Sequence, residues 1–326
     1  MLAIVVLHVS ANGVNRLPFA SNDWWLAESV NAMCRAGVPL FLMLTGALLL
    51  RRPMSALAPF YKGRFQRLAP ALLGWSLFYL VWSALKAHVK NTAYSLSDAL
   101  VSFAQGTPYF HLWFVFMLVG VYAAFPLLQY GWHRLTKAGR SWVLAISLFA
   151  QQLGLLLYFH WQGPSMPWPL WFMAYLPYVW LGAYLAEYPP KAQHRLAQVI
   201  PWAALAAWLL SSALVAGLRY WQQAEIGAEP FYYSHHRLSF PILLSAVALW
   251  FGLANCRWRT PTSLIASSLT LYCVHPLWLD LTSFFMSSWT FRYLWLLPVQ
   301  VMLVFTGSWC CIKLMQRLQV PNVIRH

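Results

Sequence analysis

Charge is what this chain has least of. Only 9% of its 326 residues are Asp, Glu, Lys or Arg, and just 7 are acidic. A soluble domain of this length carries roughly a quarter of its residues charged to stay hydrated, so much of this surface must face something other than water. Cysteine is also scarce: five, at positions 34, 256, 273, 310 and 311, with no C-x-x-C pair. They fall mostly inside apolar runs and read as small hydrophobes, neither disulfide partners nor metal ligands. The chain has no G-x-S-x-G elbow, no phosphate-binding Walker loop, no H-E-x-x-H and no G-x-G-x-x-G, which leaves the common soluble-enzyme mechanisms nothing to attach to. No metal site is expected. Internal repeats, low-complexity tracts and long linkers are missing too, so residues 1–326 are expected to form a single domain.

What is abundant is apolar and aromatic. Hydrophobic residues make up 60% and aromatics 17%, with 20 Trp and 16 Tyr; amphipathic rings collect at the two headgroup levels of a bilayer. Spanning ~30 Å of hydrocarbon takes about 20 helical residues. Apolar runs of that kind fall near 33–50, 68–86, 110–129, 142–160, 169–186, 197–217, 239–255, 263–282 and 292–313. A first run, from Met1 to Ala11, would reach only ~16 Å. It has neither a basic n-region nor a small-residue cleavage site, so it is not read as a signal peptide. The expected reading is the outer half of a helix whose inner half precedes Met1. Counting it, the sequence predicts an all-α, polytopic membrane bundle of about ten transmembrane helices.

The net charge of +15 then reads as topology. If the N-terminal end is cytoplasmic, 15 of the 22 basic residues fall on the cytoplasmic side, in the loops around 51–67, 134–140, 187–195 and 257–259 and near the C-terminus. Five of the seven acids fall opposite. This is the positive-inside pattern with both termini cytoplasmic, and no nucleic-acid signature accompanies it. The longer outer loops, near 87–109 and 218–238, have room for short interfacial helices.

Ionisable groups inside spans cost on the order of 3 kcal/mol each, which makes each a functional candidate. His8 has no local polar partner in IVVLHV; it is either a structural histidine bonded to a neighbouring helix or a general base. Arg35 opens the second span. Arg64 and Arg67, in R-F-Q-R before Leu68-Ala69-Pro70, share one helical face by their spacing. Two planar forks at a membrane mouth suit phosphate oxygens, or they serve topology alone. His111 and Trp113 stand in FHLWF at the outer interface, where Trp113 fits an aromatic belt. His275 precedes Pro276, a break of the kind that lines protein-filled or watery cavities. Asp280 is five residues on, off the face of His275, in a position to snorkel outward.

Taken in order, IVVLHVS around His8, Arg35-Ala36-Gly37-VPLFLMLTG, the Arg64/Arg67 pair with Pro70, YFHLWFV at 109–115 and SLTLYCVHP at 268–276 resemble the membrane acyltransferase-3 family over essentially the whole chain. VPLF-x-x-x-[ST]-G and HLWF are the most specific elements. The likeness is strongest to inner-membrane O-acetyltransferases of surface glycans, the kind that modifies enterobacterial common antigen. The resemblance implies acetyl-CoA as acyl donor, no permanently bound cofactor, a glycan or lipid-linked sugar as acceptor, and a bacterial inner-membrane location. It implies His8 as the essential first-helix histidine and Arg64 and Arg67, with Arg35, as holders of the CoA phosphates. His111, Trp113 and His275 would line the acceptor cavity. The family's first-helix Arg, eleven residues before that histidine, would fall before Met1, in keeping with the short first run. The competing readings are a glycolipid transporter or flippase and a non-catalytic membrane partner in glycan assembly.

Overall fold

The computed structural model describes residues 1–53, 56–161, 166–189, 194–227, 233–254, 267–286 and 293–318. Among them there is no strand, and the chain is a succession of helices. Helix α1 (Leu2–Arg16) leads through a short turn to α2 (Asn22–Cys34), α3 (Gly37–Thr45) and a π-helical turn, Gly46–Leu50. Then come α4 (Leu57–Val89), α5 (Leu96–Ala104), α6 (Trp113–Arg134), α7 (Lys137–Trp161), α8 (Trp171–Glu187), α9 (His194–Ile226), α10 (Phe240–Ala254), α11 (Ser268–Phe285) and α12 (Tyr293–Arg317).

Six helical stretches are long and apolar enough to cross a membrane: Asn22–Leu50, Leu57–Val89, Trp113–Arg134, Lys137–Trp161, Val199–Ile226 and Trp295–Arg317. Half of the most apolar window of α6 is buried against 6% for α7, so α6 is a central post and α7 lies at the rim with apolar side chains outward. The shorter helices α1, α8, α10 and α11, of 15, 17, 15 and 18 residues, pack among these six.

Several boundaries differ from the sequence expectation. The first helix does not stop near Ala11. It continues to Arg16 through Gly13, whose missing side chain makes room for the Tyr293 ring. The second stretch starts at Asn22, well before residue 33, because the Ser21 hydroxyl caps α2 by accepting from the Trp24 amide. Arg35 therefore sits at a turn within the stretch and does not open it. In the loop between α4 and α6, α5 forms behind a capping box in which Ser95 and Asp98 satisfy each other's backbone amides. The 218–238 loop is shorter than expected, since α9 runs on to Ile226. The loop around 257–259 and residues 319–326, which enter the charge count, lie outside the described residues.

The tightest crossing explains the Thr45-Gly46 pair. A Cβ on Gly46 would run into the Val179 carbonyl of α8, and one on Gly182 of α8 into the Met43 carbonyl of α3. Two backbones thus meet at reciprocal glycines, the close approach that small residues permit between membrane helices. Thr45 turns its hydroxyl back to the Phe41 carbonyl, at 2.9 Å, and needs no partner on α8. Neither backbone can yield without moving its helix. Gly182→Ala is accordingly expected to cost at least about 1–3 kcal/mol, read as a lower melting temperature in detergent; a change within error would mean that the two helices are not packed this closely.

Candidate active site

The site begins with a break in α11. Pro276 has no N–H, so the Tyr272 carbonyl four residues before it loses its helical partner. The side chain of His275 fills the gap: its Nδ1 lies 2.7 Å from that oxygen. A carbonyl can only accept, so Nδ1 carries the proton and Nε2 is left as a bare acceptor. That Nε2 is buried and has no partner.

Two other imidazoles stand against it. His8 of α1 stacks on His275, with centroids 5.3 Å apart, and meets the Phe110 ring edge-on. Unlike His275 it is only half buried. His111 is fully buried, 5.6 Å from His275 and 5.0 Å from Tyr79 of α4. It lies near the Cys273 carbonyl, yet that oxygen accepts the Tyr79 hydroxyl at 2.7 Å, and neither His111 nitrogen has a hydrogen-bond partner. The Tyr272 hydroxyl donates to the His111 carbonyl and so ties the 105–112 loop to α11. Among the described residues no three His, Cys, Asp or Glu side chains are placed to hold a metal ion. His111 is thus an interior residue of the protein.

A cationic group faces the same cluster. Glu28 of α2, fully buried, takes His235 Nε2 at 2.6 Å. Arg35 donates to the other nitrogen of that ring, Nδ1, at 2.7 Å, and to the His235 carbonyl at 2.6 Å. An arginine can only donate, so the His235 proton is on Nε2, which donates to Glu28. Burial, with the Arg35 and Arg219 charges, holds His235 well below the ordinary imidazole range. Burial, with Arg237 and Arg35, holds His236 down at about 3. Both rings are neutral at physiological pH. Arg237, on the same turn, lays its guanidinium 3.7 Å from the centre of the Trp113 ring and bonds Tyr175. Trp113 is itself buried; it carries a cation and does not face lipid in an aromatic belt. The charges of Arg237 and Arg35 both act on His8.

Asp280 is tied to neighbouring segments. One of its oxygens takes Lys86 Nζ at 2.9 Å and Trp82 Nε1 at 2.7 Å, both from α4, and also the Tyr109 hydroxyl. Burial and the bond to Asp280 push the Tyr109 hydroxyl well above its ordinary range, so it stays protonated as the donor.

Arg64 and Arg67 lie elsewhere. Because α4 starts at Leu57, both stand inside the helix, Arg64 between Phe60 and Tyr122, at 5.5 and 5.2 Å, and Arg67 exposed. They are fifteen and twelve residues before Tyr79, or ~18–22 Å along α4 from the imidazoles. Of the residues singled out in the sequence, the structure brings His8, His111 and His275 together and sets Trp113 and Arg35 beside them. It does not bring Arg35 to the Arg64/Arg67 pair. Sequence reasoning missed Arg237, Glu28 and His235. A loop arginine and a loop histidine carry no spacing signal; Glu28 alone, an acid at the edge of an apolar stretch, could have been noticed.

A family model described as an acyltransferase domain matches residues 1–313. No curated protein and no solved structure matches the chain.

The Asp280 cluster is testable by itself. Lys86→Met leaves a half-buried carboxylate with only neutral donors and is expected to cost on the order of 2 kcal/mol. Removing both charges, as Lys86→Met with Asp280→Leu, should recover part of that loss. If the double variant melts lower than the single one in detergent, the pair is not coupled as described.

Proposed function

The chain belongs to the membrane acyltransferase-3 family, and on that premise we propose that it moves an acetyl group from acetyl-CoA to a hydroxyl of a surface polysaccharide or of its lipid-linked precursor. Its place would be a bacterial inner membrane, crossed ten times with both ends cytoplasmic. The ten spans would be α1, α2 with α3, α4 and each of α6 to α12, with α5 lying on the outer surface. Two ion pairs are consistent with this: Arg51–Glu187 would join cytoplasmic helix ends and Lys86–Asp280 outer ones.

The observation that carries the chemical reading is the stack of a partly buried His8 on the proton-fixed His275. His8 makes no hydrogen bond to another described residue, and a neutral imidazole with a free nitrogen is suited to general-base work. In the proposed step the acceptor hydroxyl gives its proton to His8 as its oxygen attacks the thioester carbonyl. The carbon–sulfur bond then breaks, and the imidazolium returns the proton to the CoA thiolate. A transient acyl-histidine is the alternative course, in which His8 attacks first and the sugar hydroxyl displaces it. Arg64 and Arg67 would hold the CoA phosphates on the cytoplasmic side. The ~18–22 Å of α4 between them and the imidazoles is of the order of an extended pantetheine arm. The acceptor would come from the other side, where the surface glycans of the enterobacterial-common-antigen kind are assembled.

Two outcomes are expected. His8→Ala should lower kcat by about 100- to 10,000-fold while the protein still reaches the membrane; acetyl transfer at the wild-type rate in that variant would remove the assignment. Arg64→Ala with Arg67→Ala should raise KM for acetyl-CoA about tenfold or more with kcat little changed, since each lost charge-assisted bond is worth ~1.5 kcal/mol or more. An unchanged KM would return the pair to topology alone. Both are read by mass spectrometry of surface glycans in a deletion strain and by radiolabelled acetyl transfer in membranes.

A further inference from the structure

Two arginines beside His8, Arg35 and Arg237, keep donor capacity that no carboxylate among the described residues takes up. Glu28 acts on Arg35, and Arg237 lies near enough to Arg35 for the two charges to oppose each other. Arg35 spends two of its donors on His235, and its Nε is buried without a partner. Arg237 faces an aromatic ring and a tyrosine, and among the described residues no carboxylate lies within ion-pair distance of it. Arg35 and Arg237 are close enough for their charges to act on each other. Cations drawn together in poorly solvating surroundings repel unless an anion joins them.

We propose that Arg35 and Arg237 form a binding site for a phosphoryl oxyanion carried by the acceptor, adjacent to His8 and separate from the Arg64/Arg67 pair. A carboxylate offers two coplanar oxygens to one fork. Two guanidinium groups from separate segments, the α2–α3 turn and the 233–239 turn, suit an anion whose oxygens point in several directions. Both forks are held in place before any ligand arrives: Arg35 by His235, Arg237 by the face of Trp113. This deepens the proposed function, since a lipid-linked sugar carries its phosphate at the membrane boundary, and it rests on that reading for the identity of the ligand. The distance along α4 keeps the CoA phosphates at the other pair, so the two basic groups would take different substrates.

The test uses the full chain in a neutral detergent, with arginine accessibility mapped by phenylglyoxal and peptide mass spectrometry. Inorganic pyrophosphate should protect Arg237 and Arg35 and raise the melting temperature. In Arg237→Gln the pyrophosphate-dependent rise should be lost or at least halved, and Arg237→Lys, which keeps the charge without the fork, should fall between. The protection mapping needs no variant, so it decides even if Arg237→Gln does not fold. Protection confined to Arg64 and Arg67 overturns the proposal. So does an Arg237 that is already unreactive towards phenylglyoxal before pyrophosphate is added, because a group of the chain would then fill the position. In nanodiscs, protection by phosphatidylglycerol alone equal to that by pyrophosphate assigns the site to a bilayer headgroup and overturns the acceptor assignment. Acetyl transfer separates the two readings. Pyrophosphate protection of Arg237 without any transfer leaves the anion site standing and removes the enzyme, whereas transfer with unprotected Arg237 does the reverse.

Discussion

A carboxylate in surroundings that solvate charge poorly has to meet a cation brought by the chain itself, and the few acids here are placed so that each such meeting joins distant segments. Glu28 of α2 reaches His235 and, through it, Arg35. Asp280 of α11 reaches Lys86 and Trp82 of α4 and Tyr109 of the loop before α6. Glu187 of α8 also reaches Arg51 beyond α3, but at the exposed surface, where such a pair contributes little. With so little charge in the chain there are few wrong pairings to choose from. The apolar faces of the helices could slide against one another at small cost, but these contacts and the reciprocal glycine crossing of α3 with α8 cannot.

Much of this was legible in the sequence and some was not. Apolar run length told the helices, and the punctuation by Pro, Gly and charge told most of their order. The ends were misjudged where a polar cap or a glycine lets a helix continue through polar residues, as at Ser21 and Gly13. His8, His111 and His275 were picked out one by one, because an imidazole in an apolar run is conspicuous. Their convergence was not legible, since it comes from three helices and a loop packed together. The partners of Asp280 were not legible, because its distance from His275 along one helix said nothing about Lys86, 194 residues away in the chain. Arg237 looked like an outer-loop charge, and only the fold lays it on Trp113.

The basic residues divide into two populations that the net charge hides. One is spread over the ends of α3, α4, α6 and α7 and is largely exposed, as Arg51, Arg52, Arg67 and Arg134 are. Such charges orient helices and cost little, because water reaches them. The other includes Arg35 and Arg237, which are only partly exposed and lie close enough for their charges to act on each other, where they cost more. The proposed phosphoryl anion would give Arg35 and Arg237 a second counter-charge. The proposed orientation would account for the first group through the positive-inside rule but not for the second.

The histidines can be sorted by how many ring nitrogens the fold has already used. His235 has spent both, on Glu28 and Arg35, and can only position its neighbours. His275 has spent one on the carbonyl that Pro276 orphaned, which fixes its tautomer and keeps its other nitrogen bare. His111 has spent neither, but it is sealed under Tyr79 and Tyr272. His8 is the one of the clustered three that is only half buried. A base must meet a proton that arrives from outside, so accessibility decides among the unspent nitrogens. On the proposed chemistry this favours His8 as the base, with His275 stacked behind it in a fixed tautomer and His111 filling the floor.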